Sequence, residues 1–332
     1  MQDITNILEK YYNIKPLKIE KIRKVYKISS SEGDYCLKEY KNKEHESLHF
    51  QMEVLHHLQG NNFQSTYTII PTIEKKLLIS HNNHTYFLAD WINGEAFNFS
   101  NLNQLKKAAQ ALANLHNYSL KLNVNKEVRV RSSFHKPPQF LHVKIGPYYN
   151  SMILERLLYL QRKYSYHELL TAIQLFEEAI SFFPYQKYKK LWNSEQKEQA
   201  FVHGDYNYSN IILSPNNNAF LIDFDNVNFN IRITDLIFLI QLHMGTDGRY
   251  ISDILRSYHQ IRPLSQLEFD IIKSQLLVPA KAYWKMNIQE KVQQELTPSF
   301  IKSYISPFLK RDLFAKVKNL SFEKVFITEK EN

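Results

Sequence analysis

The chain has 332 residues, of which 44% are hydrophobic and 23% charged, a composition typical of soluble globular proteins with one or two domains. The single cysteine, Cys36, excludes an intrachain disulfide and a multi-cysteine metal site, and it favours a reducing cytosol. The net charge of +9 is spread along the chain without a nucleic-acid fold motif, and no apolar run approaches a membrane span, so we expect neither partner.

The first 92 residues predict a small antiparallel sheet and one helix. Apolar and aromatic residues over 25–28 and 35–40 flank a Ser-Glu-Gly-Asp turn, where Gly33 can adopt the backbone angle that a hairpin needs. Leucine and methionine at helical spacing predict a helix over 46–58. A second hairpin is predicted around Asn82-Asn83. We interpret residues 1–92 as a nucleotide-binding lobe.

A nucleotide lobe of this kind should supply a lysine from a central strand and a carboxylate from the next helix. Lys38 fits the first role, because strand alternation places it on the same face as Cys36, and it would hold the α- and β-phosphates of ATP. Glu53, in the middle of the predicted helix, is placed to pair with Lys38. The alternatives are a solvated edge lysine and an ordinary surface glutamate.

Residues 93–332 predict a larger, mainly helical lobe. Leucine and alanine on one face indicate an amphipathic helix over 104–116, whereas two proline-containing pairs indicate a loop over 133–147. Further helical stretches are predicted at 152–192, 235–243, 265–277 and 304–318. The sequence therefore predicts an α+β, two-lobed fold with a small-sheet N-lobe and a mostly helical C-lobe, an arrangement that favours a small-molecule site at the cleft.

The chemistry-bearing motif lies within 203–225. Asp205 is followed five residues later by Asn210, and Asp223 ends a short strand eighteen residues after Asp205. Kinase-type transfer uses one carboxylate to accept the proton of the attacking hydroxyl, and an amide and a second carboxylate to hold Mg²⁺ against a triphosphate. The sequence between them predicts a hairpin, with strands at 211–213 and 219–222 and a turn at 214–218, which would return Asn210 beside Asp223.

Each part of this motif has an ordinary interpretation. An isolated His-Gly-Asp is usually a turn, and an isolated Asp-Phe-Asp is usually a strand end. The three side chains in this order with a hairpin-length interval favour a phosphotransferase site, with Asp205 as catalytic base and Asn210 and Asp223 as metal ligands. The thirteen histidines contain no metal-binding pair of the His-Glu-x-x-His type.

Several motifs together carry a family resemblance. They are Gly33-Asp34-Tyr35-Cys36-Leu37-Lys38, Phe87 to Ile92, Leu112-Ala113-Asn114-Leu115-His116, Phe201 to Asn210, Leu221 to Asp225 and Thr234-Asp235-Leu236. With these residues the chain resembles the aminoglycoside phosphotransferase and choline kinase superfamily, which is protein-kinase-like. Within it, the chain is most similar to the CotS-type spore coat proteins of endospore-forming Firmicutes.

The resemblance implies a kinase that uses ATP and Mg²⁺. It implies that the hinge backbone near Asp90 and Ile92 contacts adenine, that Asp205 is the base, and that Asp235 braces the catalytic loop. The implied partners are a nucleotide, a small hydroxyl-bearing acceptor and other spore coat proteins. The implied locations are cytoplasmic synthesis and the spore coat.

Two departures from the family pattern leave the function open. The loop over 20–25 contains no glycine, although backbone amides approach phosphates most easily where glycine permits it. Arg23 and Lys24 are the alternative source of positive charge there. Asp225 stands where protein kinases carry glycine, and Asp235 follows it by only ten positions, which leaves no room for a long activation loop. Both an active small-molecule kinase and a catalytically weak structural coat protein remain as hypotheses.

Overall fold

The computed structural model describes residues 2–41, 45–98, 100–124, 128, 132, 147–164, 167–243, 250–276 and 311–326. The chain divides into a first unit of Met1–Phe97, Leu122–Arg131 and Tyr208–Val227, and a second unit of Asn98–Lys121, Ser132–Asn207 and Asn228–Asn332. The first break comes after Phe97, five residues beyond the lobe boundary that we predicted at residue 92. The segment that carries Asn210 and Asp223, which we predicted with the helical lobe, is grouped with the first unit.

An antiparallel six-stranded sheet dominates the first unit. Its strands are β1 (Pro16–Ile22), β2 (Val25–Ser30), β3 (Asp34–Lys41), β4 (Ile69–Ile70), β5 (Ile79–His81) and β6 (His84–Asp90). The order is β1-β2-β3-β6-β4, and β5 also pairs with β6. Both predicted hairpins are confirmed: Gly33 has φ +144° in the first, and Asn82 and Asn83 both have positive φ in the second.

The two faces of this sheet differ because side chains alternate along each strand. The N-terminal helix α1 (Gln2–Ile7) and the π-helical turn Leu8–Tyr12, neither of which we predicted, share one hydrophobic cluster with Leu37 and Leu88. Lys38, one position along β3, therefore lies on the opposite face. Fixing the register of Leu37 in this core sets the direction of Lys38.

Two further elements complete the first unit around the predicted hairpin. Helix α2 (His45–Gly60), which confirms the predicted helix, packs against the 3₁₀ turn Phe224–Asn226. A small sheet is formed by β7 (Glu95–Ala96), β9 (Ile211–Leu213) and β10 (Ala219–Leu221). Gly94 precedes β7 with φ +151°, and a Cβ there would overlap the carbonyl oxygen of Leu213. The close approach of β7 to β9 thus requires glycine.

The second unit is mostly helical. Its helices are α3 (Leu102–Tyr118), α4 (Pro147–Tyr164), α5 (His167–Ser181), α6 (Tyr185–Lys197), α7 (Ile233–His243), α8 (Ile251–Ile261), α9 (Gln266–Leu276), α10 (Arg311–Lys318) and α11 (Phe322–Phe326), with strands β8 (Phe201–Val202) and β11 (Asn228–Phe229) paired to each other. Asn101 caps α3, because its side chain accepts hydrogen bonds from the N–H groups of Asn103 and Gln104.

Packing in the second unit follows the apolar faces of its helices. Helix α3 packs against α7 and α8, and both α6 and α7 pack against α9. The amphipathic helix predicted at 104–116 is confirmed, and the long stretch at 152–192 is three helices. The loop predicted at 133–147 and the segment 304–310 lie almost wholly outside the described residues. Among the described helices, none combines the length and the hydropathy that a transmembrane span needs.

Candidate active site

The loop that carries Asp205 follows strand β8 and is held by the start of α7. The backbone N–H groups of His203 and Gly204 donate to the Asp235 carboxylate, at 2.7 Å and 3.1 Å. Asp235 is 3% exposed, so these charge-assisted bonds are made away from solvent. The geometry agrees with the bracing role that the resemblance implied for Asp235.

The Asp205 carboxylate itself is partly exposed at the surface of the second unit. Its Oδ1 accepts a hydrogen bond of 3.0 Å from the Asn207 side-chain amide, which also donates to the Asp205 carbonyl at 3.2 Å. Tyr206, between them, is buried and donates its hydroxyl proton to the Ala108 carbonyl of α3 at 2.7 Å. Asn207 therefore contacts the carboxylate of the predicted base, and Tyr206 fixes the loop to α3; the sequence analysis singled out neither.

A buried series of hydrogen-bonded polar side chains connects Asp235, at the start of α7, to helix α9. In order from Asp235, its further members are His116, Tyr258, Arg262 and Glu268. The spacings are 2.7 Å from Arg262 to Glu268, 3.2 Å from Arg262 to the Tyr258 hydroxyl, 2.7 Å from that hydroxyl to His116 Nδ1, and 3.4 Å from His116 Nε2 to Asp235. Since Arg262 can only donate, the network assigns Nδ1 of His116 as acceptor and Nε2–H as donor.

The electrostatics of this series keep His116 neutral. Burial lowers the pKa of His116 below its ordinary value, and the nearby Asp235 carboxylate only partly offsets that effect. Arg232 reinforces the same region by donating to the His116 carbonyl and, in a fork, to both oxygens of Glu195. Burial alone would raise the pKa of Glu195, but the hydrogen bonds and charge of Arg232 lower it. Asp235, which holds the loop of Asp205, is thus itself bonded to buried His116, and Arg232 bonds to the His116 carbonyl.

In the first unit, Lys38 of β3 lies beside Asp223, at the open end of the β9–β10 hairpin. Its Nζ is 2.6 Å from Asp223 Oδ1 and 2.6 Å from Asp225 Oδ1, and the residue is 9% exposed. Burial acts to lower the pKa of Lys38, but the carboxylates of Asp225 and Asp223 outweigh it and raise the pKa above its ordinary value. The structure therefore brings together two predicted site residues, Lys38 and Asp223, that are 185 positions apart in sequence.

Asp225, which the sequence analysis noted only as a departure, makes two contacts with strand β3. Besides Lys38, its Oδ1 accepts a hydrogen bond of 2.6 Å from the hydroxyl of Tyr40, two positions after Lys38 in β3. The alternation of β3 was the available signal, because it places Lys38 and Tyr40 on one face.

The predicted partner of Lys38 in helix α2 is different from the one observed. In the described part of the chain, Glu53 has no hydrogen bond or ion pair with Lys38, whose Nζ is paired with Asp223 and Asp225. The phase of the helix is the physical reason. Gln51 is 1% exposed whereas Glu53 is partly exposed, and positions two apart on a helix lie about 200° apart. The pairing of Lys38 with Glu53 stays a prediction that this arrangement does not support.

Asn210 and Asp223 stand at the open end of the hairpin, as the spacing predicted. The Ile222 N–H donates to the Asn210 carbonyl at 3.0 Å, so Asp223 follows one residue after the position opposite Asn210. Asp223 has φ +64°, an uncommon left-handed conformation for a residue with a side chain. An amide and a carboxylate oxygen suit Mg²⁺, which takes one or two carboxylates and completes its shell with phosphate and water. The donor set therefore fits that ion.

Backbone groups near Asp90 and Ile92 bear on the predicted adenine contact. The N–H groups of Asp90 and Trp91 donate to the carbonyls of Thr68 and Asp34, at 3.0 Å and 3.1 Å. Those two donors are engaged within the fold. The N–H of Ile92 and the carbonyl of Asp90 are among the backbone groups of this segment that are not used in this way in the described part of the chain.

Between β1 and β2 the connection is only two residues long. Ile22 pairs with Val25, so Arg23 and Lys24 form the whole turn, and Arg23 has φ +54°. Both side chains are exposed at the hairpin tip. The glycine-free segment is thus a tight turn with two cationic side chains and not an extended loop.

Comparisons with known proteins agree with this architecture. The family model described as the phosphotransferase enzyme family matches residues 13–268. An aminoglycoside phosphotransferase from Alicyclobacillus acidocaldarius is similar in structure, with a TM-score of 0.72 at 15% identity over 93% of this chain and 92% of that one. A spectinomycin phosphotransferase solved with ADP and spectinomycin gives 0.58 at 14% identity, over 96% and 98%.

A third similar structure is a microcompartment-associated aminopropanol kinase, with a TM-score of 0.59 at 12% identity over 96% of both chains. At these identities the likeness shows the fold. The predicted fold class is confirmed: the protein has a kinase-like aminoglycoside phosphotransferase fold, with an antiparallel sheet in its N-terminal region and a helical C-terminal part.

Proposed function

Because the chain belongs to the phosphotransferase enzyme family, we propose that it is a kinase that uses ATP and Mg²⁺ to phosphorylate a hydroxyl group of a small acceptor. The observation that carries the proposal is the pairing of Lys38 Nζ with Asp223 Oδ1 at 2.6 Å. A buried lysine beside a strand-terminal carboxylate is the combination that phosphoryl transfer requires for charge stabilisation. ADP and AMP complexes of similarly folded spectinomycin phosphotransferase structures support a nucleotide ligand.

We assign the nucleotide roles to residues of the first unit. Lys38 would hold the α- and β-phosphates, and Asn210 and Asp223 would hold Mg²⁺, which neutralises the charge of the phosphates when bound. The carbonyl of Asp90 and the N–H of Ile92 would contact adenine. The side-chain oxygens of Asn210 and Asp223 support the metal assignment. The adenine assignment is supported by the hydrogen bonds that already occupy the N–H groups of Asp90 and Trp91 within the fold.

Asp205 is proposed as the catalytic base. As the acceptor oxygen attacks the γ-phosphorus and ADP leaves, the hydroxyl proton would pass to the Asp205 carboxylate. The hydrogen bond from Asn207 and the two loop N–H bonds to Asp235 support the role, because a base must be held in one direction to be effective.

Acceptor-dependent release of ADP tests the proposal. The purified protein is incubated with Mg·ATP and a panel of amino alcohols, amino sugars and choline-like alcohols, and ADP is measured. We expect at least one acceptor to stimulate ADP release in the wild type, and Asp205→Asn to abolish the stimulation. Asp253→Asn, which changes a carboxylate paired with Lys106 on helix α3, should leave it intact. Equal turnover by wild type and Asp205→Asn would refute the assignment.

A structural role in the spore coat is the second candidate, and it follows from the resemblance to CotS-type proteins. The tight, glycine-free turn at Arg23 and Lys24 favours it, because such a turn presents few backbone amides to phosphates. In this alternative the partners are other coat proteins and catalysis is weak. A strain with Asp205→Ala should then assemble a normal coat while a deletion strain does not. A defective coat in the Asp205→Ala strain would favour the kinase.

A further inference from the structure

Lys38 sits between two carboxylates that have different surroundings. Both contribute an Oδ1 at 2.6 Å from the ammonium. Asp223 ends the hairpin beside Asn210, where it has the surroundings expected of a metal ligand. Asp225 lies in the 3₁₀ turn Phe224–Asn226, against which helix α2 packs.

The Asp225 carboxylate is oriented from the same strand as Lys38. The Tyr40 hydroxyl donates to Asp225 Oδ1 at 2.6 Å, and the Lys38 ammonium lies 5.3 Å from the centre of the Tyr40 ring. Tyr40 is 6% exposed, and its ring stacks on Phe87 of the neighbouring strand β6. Because the ring cannot swing out of this packing, the hydroxyl holds Asp225 in one direction.

Among its described side chains, helix α2 turns its one carboxylate, Glu53, to the partly exposed side. Gln51 is the polar residue of its buried face, whereas Glu53 is turned about 200° away from it along the helix. Tyr67 packs edge-on against Phe224, with the ring centres 6.2 Å apart. The pKa of Tyr67 is raised, mainly by burial and next by the charge of Asp225. Besides the Lys38 ammonium, Asp225 thus has the neutral hydroxyl donor of Tyr40 beside it.

We propose that Asp225, held by Tyr40, is the carboxylate that positions Lys38, in place of Glu53. The inference rests on the kinase function proposed above. The two aspartates then have different roles: Asp223 binds the metal ion, and Asp225 positions the Lys38 side chain. Asp225 is a positioning residue, since it acts through Lys38 and not on the reacting atoms.

A double-mutant cycle on the nucleotide-free, full-length protein tests the pairing. Thermal unfolding midpoints are measured for Lys38→Met, Asp225→Asn and the double variant. Residues in direct contact couple, so the double variant should deviate from additivity by about 2–4 °C. The matched control cycle combines Lys38→Met with Glu53→Gln, the same carboxylate-to-amide change, and should be additive. Additivity in the first cycle, or coupling in the control, would overturn the proposal.

Nucleotide binding then distinguishes positioning from metal ligation. Calorimetric titration should show the Kd for Mg·ATP raised about tenfold by Asp225→Asn, as for loss of one charge-assisted hydrogen bond. The Mg²⁺ concentration for half-maximal ATP binding should not change. A raised Mg²⁺ requirement would make Asp225 a metal ligand and overturn the proposal.

A substitute variant covers misfolding, and the nucleotide-free cycle separates failure of this proposal from failure of the kinase proposal. If Asp225→Asn does not fold, Tyr40→Phe replaces it, and it should couple to Lys38→Met with the same sign and a smaller size. If the wild type does not bind Mg·ATP, the kinase proposal fails, while the cycle still decides whether Asp225 or Glu53 pairs with Lys38.

Discussion

His203 and Asp235 are joined by a hydrogen bond of 2.7 Å, from the backbone N–H of the first to the buried carboxylate of the second. The neighbouring Gly204 N–H donates to the other oxygen of the same carboxylate at 3.1 Å. One side chain at the start of helix α7 therefore fixes two consecutive peptide groups of the loop that leads to Asp205. This relationship makes the direction of the predicted base depend on a buried residue at the start of helix α7.

Asp235→Ala should damage both stability and turnover. Two loop N–H groups lose their acceptor, which should lower the free energy of unfolding by about 1–3 kcal/mol for each group left unsatisfied. Misplacement of Asp205 should lower kcat on the order of 100-fold. Urea unfolding and acceptor-dependent ADP release measure the two effects. Asp235→Asn, which keeps an acceptor oxygen, should show a smaller loss; equal losses for both variants would contradict the bracing role.

The buried His116 should make stability depend on pH. Burial lowers its pKa in the fold below the ordinary value of 6.5, so the unfolded chain binds the proton more readily. The corresponding stability is complete above about pH 6.5 and is lost as the pH falls, by up to about 1.4 kcal/mol per unit. Urea unfolding between pH 7.5 and 5.5 measures the slope.

His116→Asn should reduce this slope, because the side chain that takes up the proton is gone. His56→Asn is the matched control, since His56 is exposed on helix α2 and should leave the slope as in the wild type. Identical slopes in wild type and His116→Asn would show that the Asp235, Tyr258 and arginine surroundings of His116 do not keep it neutral.

Gly94→Ala should destabilise the first unit. The added Cβ would overlap the Leu213 carbonyl, and φ of +151° is unfavourable for alanine. A loss of about 1–3 kcal/mol is expected from backbone strain alone. Gly60→Ala is the control: Gly60 ends helix α2, and among the described residues its added Cβ meets no atom within 4 Å apart from the adjacent helix backbone. Circular-dichroism melting of both variants tests the contrast, and a Gly94→Ala protein as stable as Gly60→Ala would contradict it.

Local patterns predicted much of this fold from sequence. Alternation in 35–40, the Asn82-Asn83 turn and the 211–221 hairpin each depend on neighbouring residues, and each is confirmed. Helix α1 was missed because its apolar residues are few and its burial depends on the sheet that it covers. The sequence also placed Lys38 on the right face.

The partner of Lys38 could not be chosen from sequence. From sequence alone, either carboxylate, Glu53 or Asp225, could pair with Lys38 in a kinase-like fold. Which one does so depends on the rotation of helix α2 about its axis. Gln51 and Glu53 are separated by two positions, so a small error in helix phase exchanges the buried residue for the exposed one. The role of Asn207 was hidden for a similar reason, because loop geometry decides its contact with Asp205.

The central claim, a nucleotide site built on Lys38 and Asp223, is tested most directly by thermal unfolding with and without Mg·ATP. At 100 times Kd, binding should stabilise the wild type by about 2.7 kcal/mol, and Lys38→Met and Asp223→Asn should lose most of that gain. Glu74→Gln, at an exposed carboxylate paired with Lys76, should keep it. A wild type whose unfolding midpoint does not move with Mg·ATP, or an equal shift in all four proteins, would contradict the account.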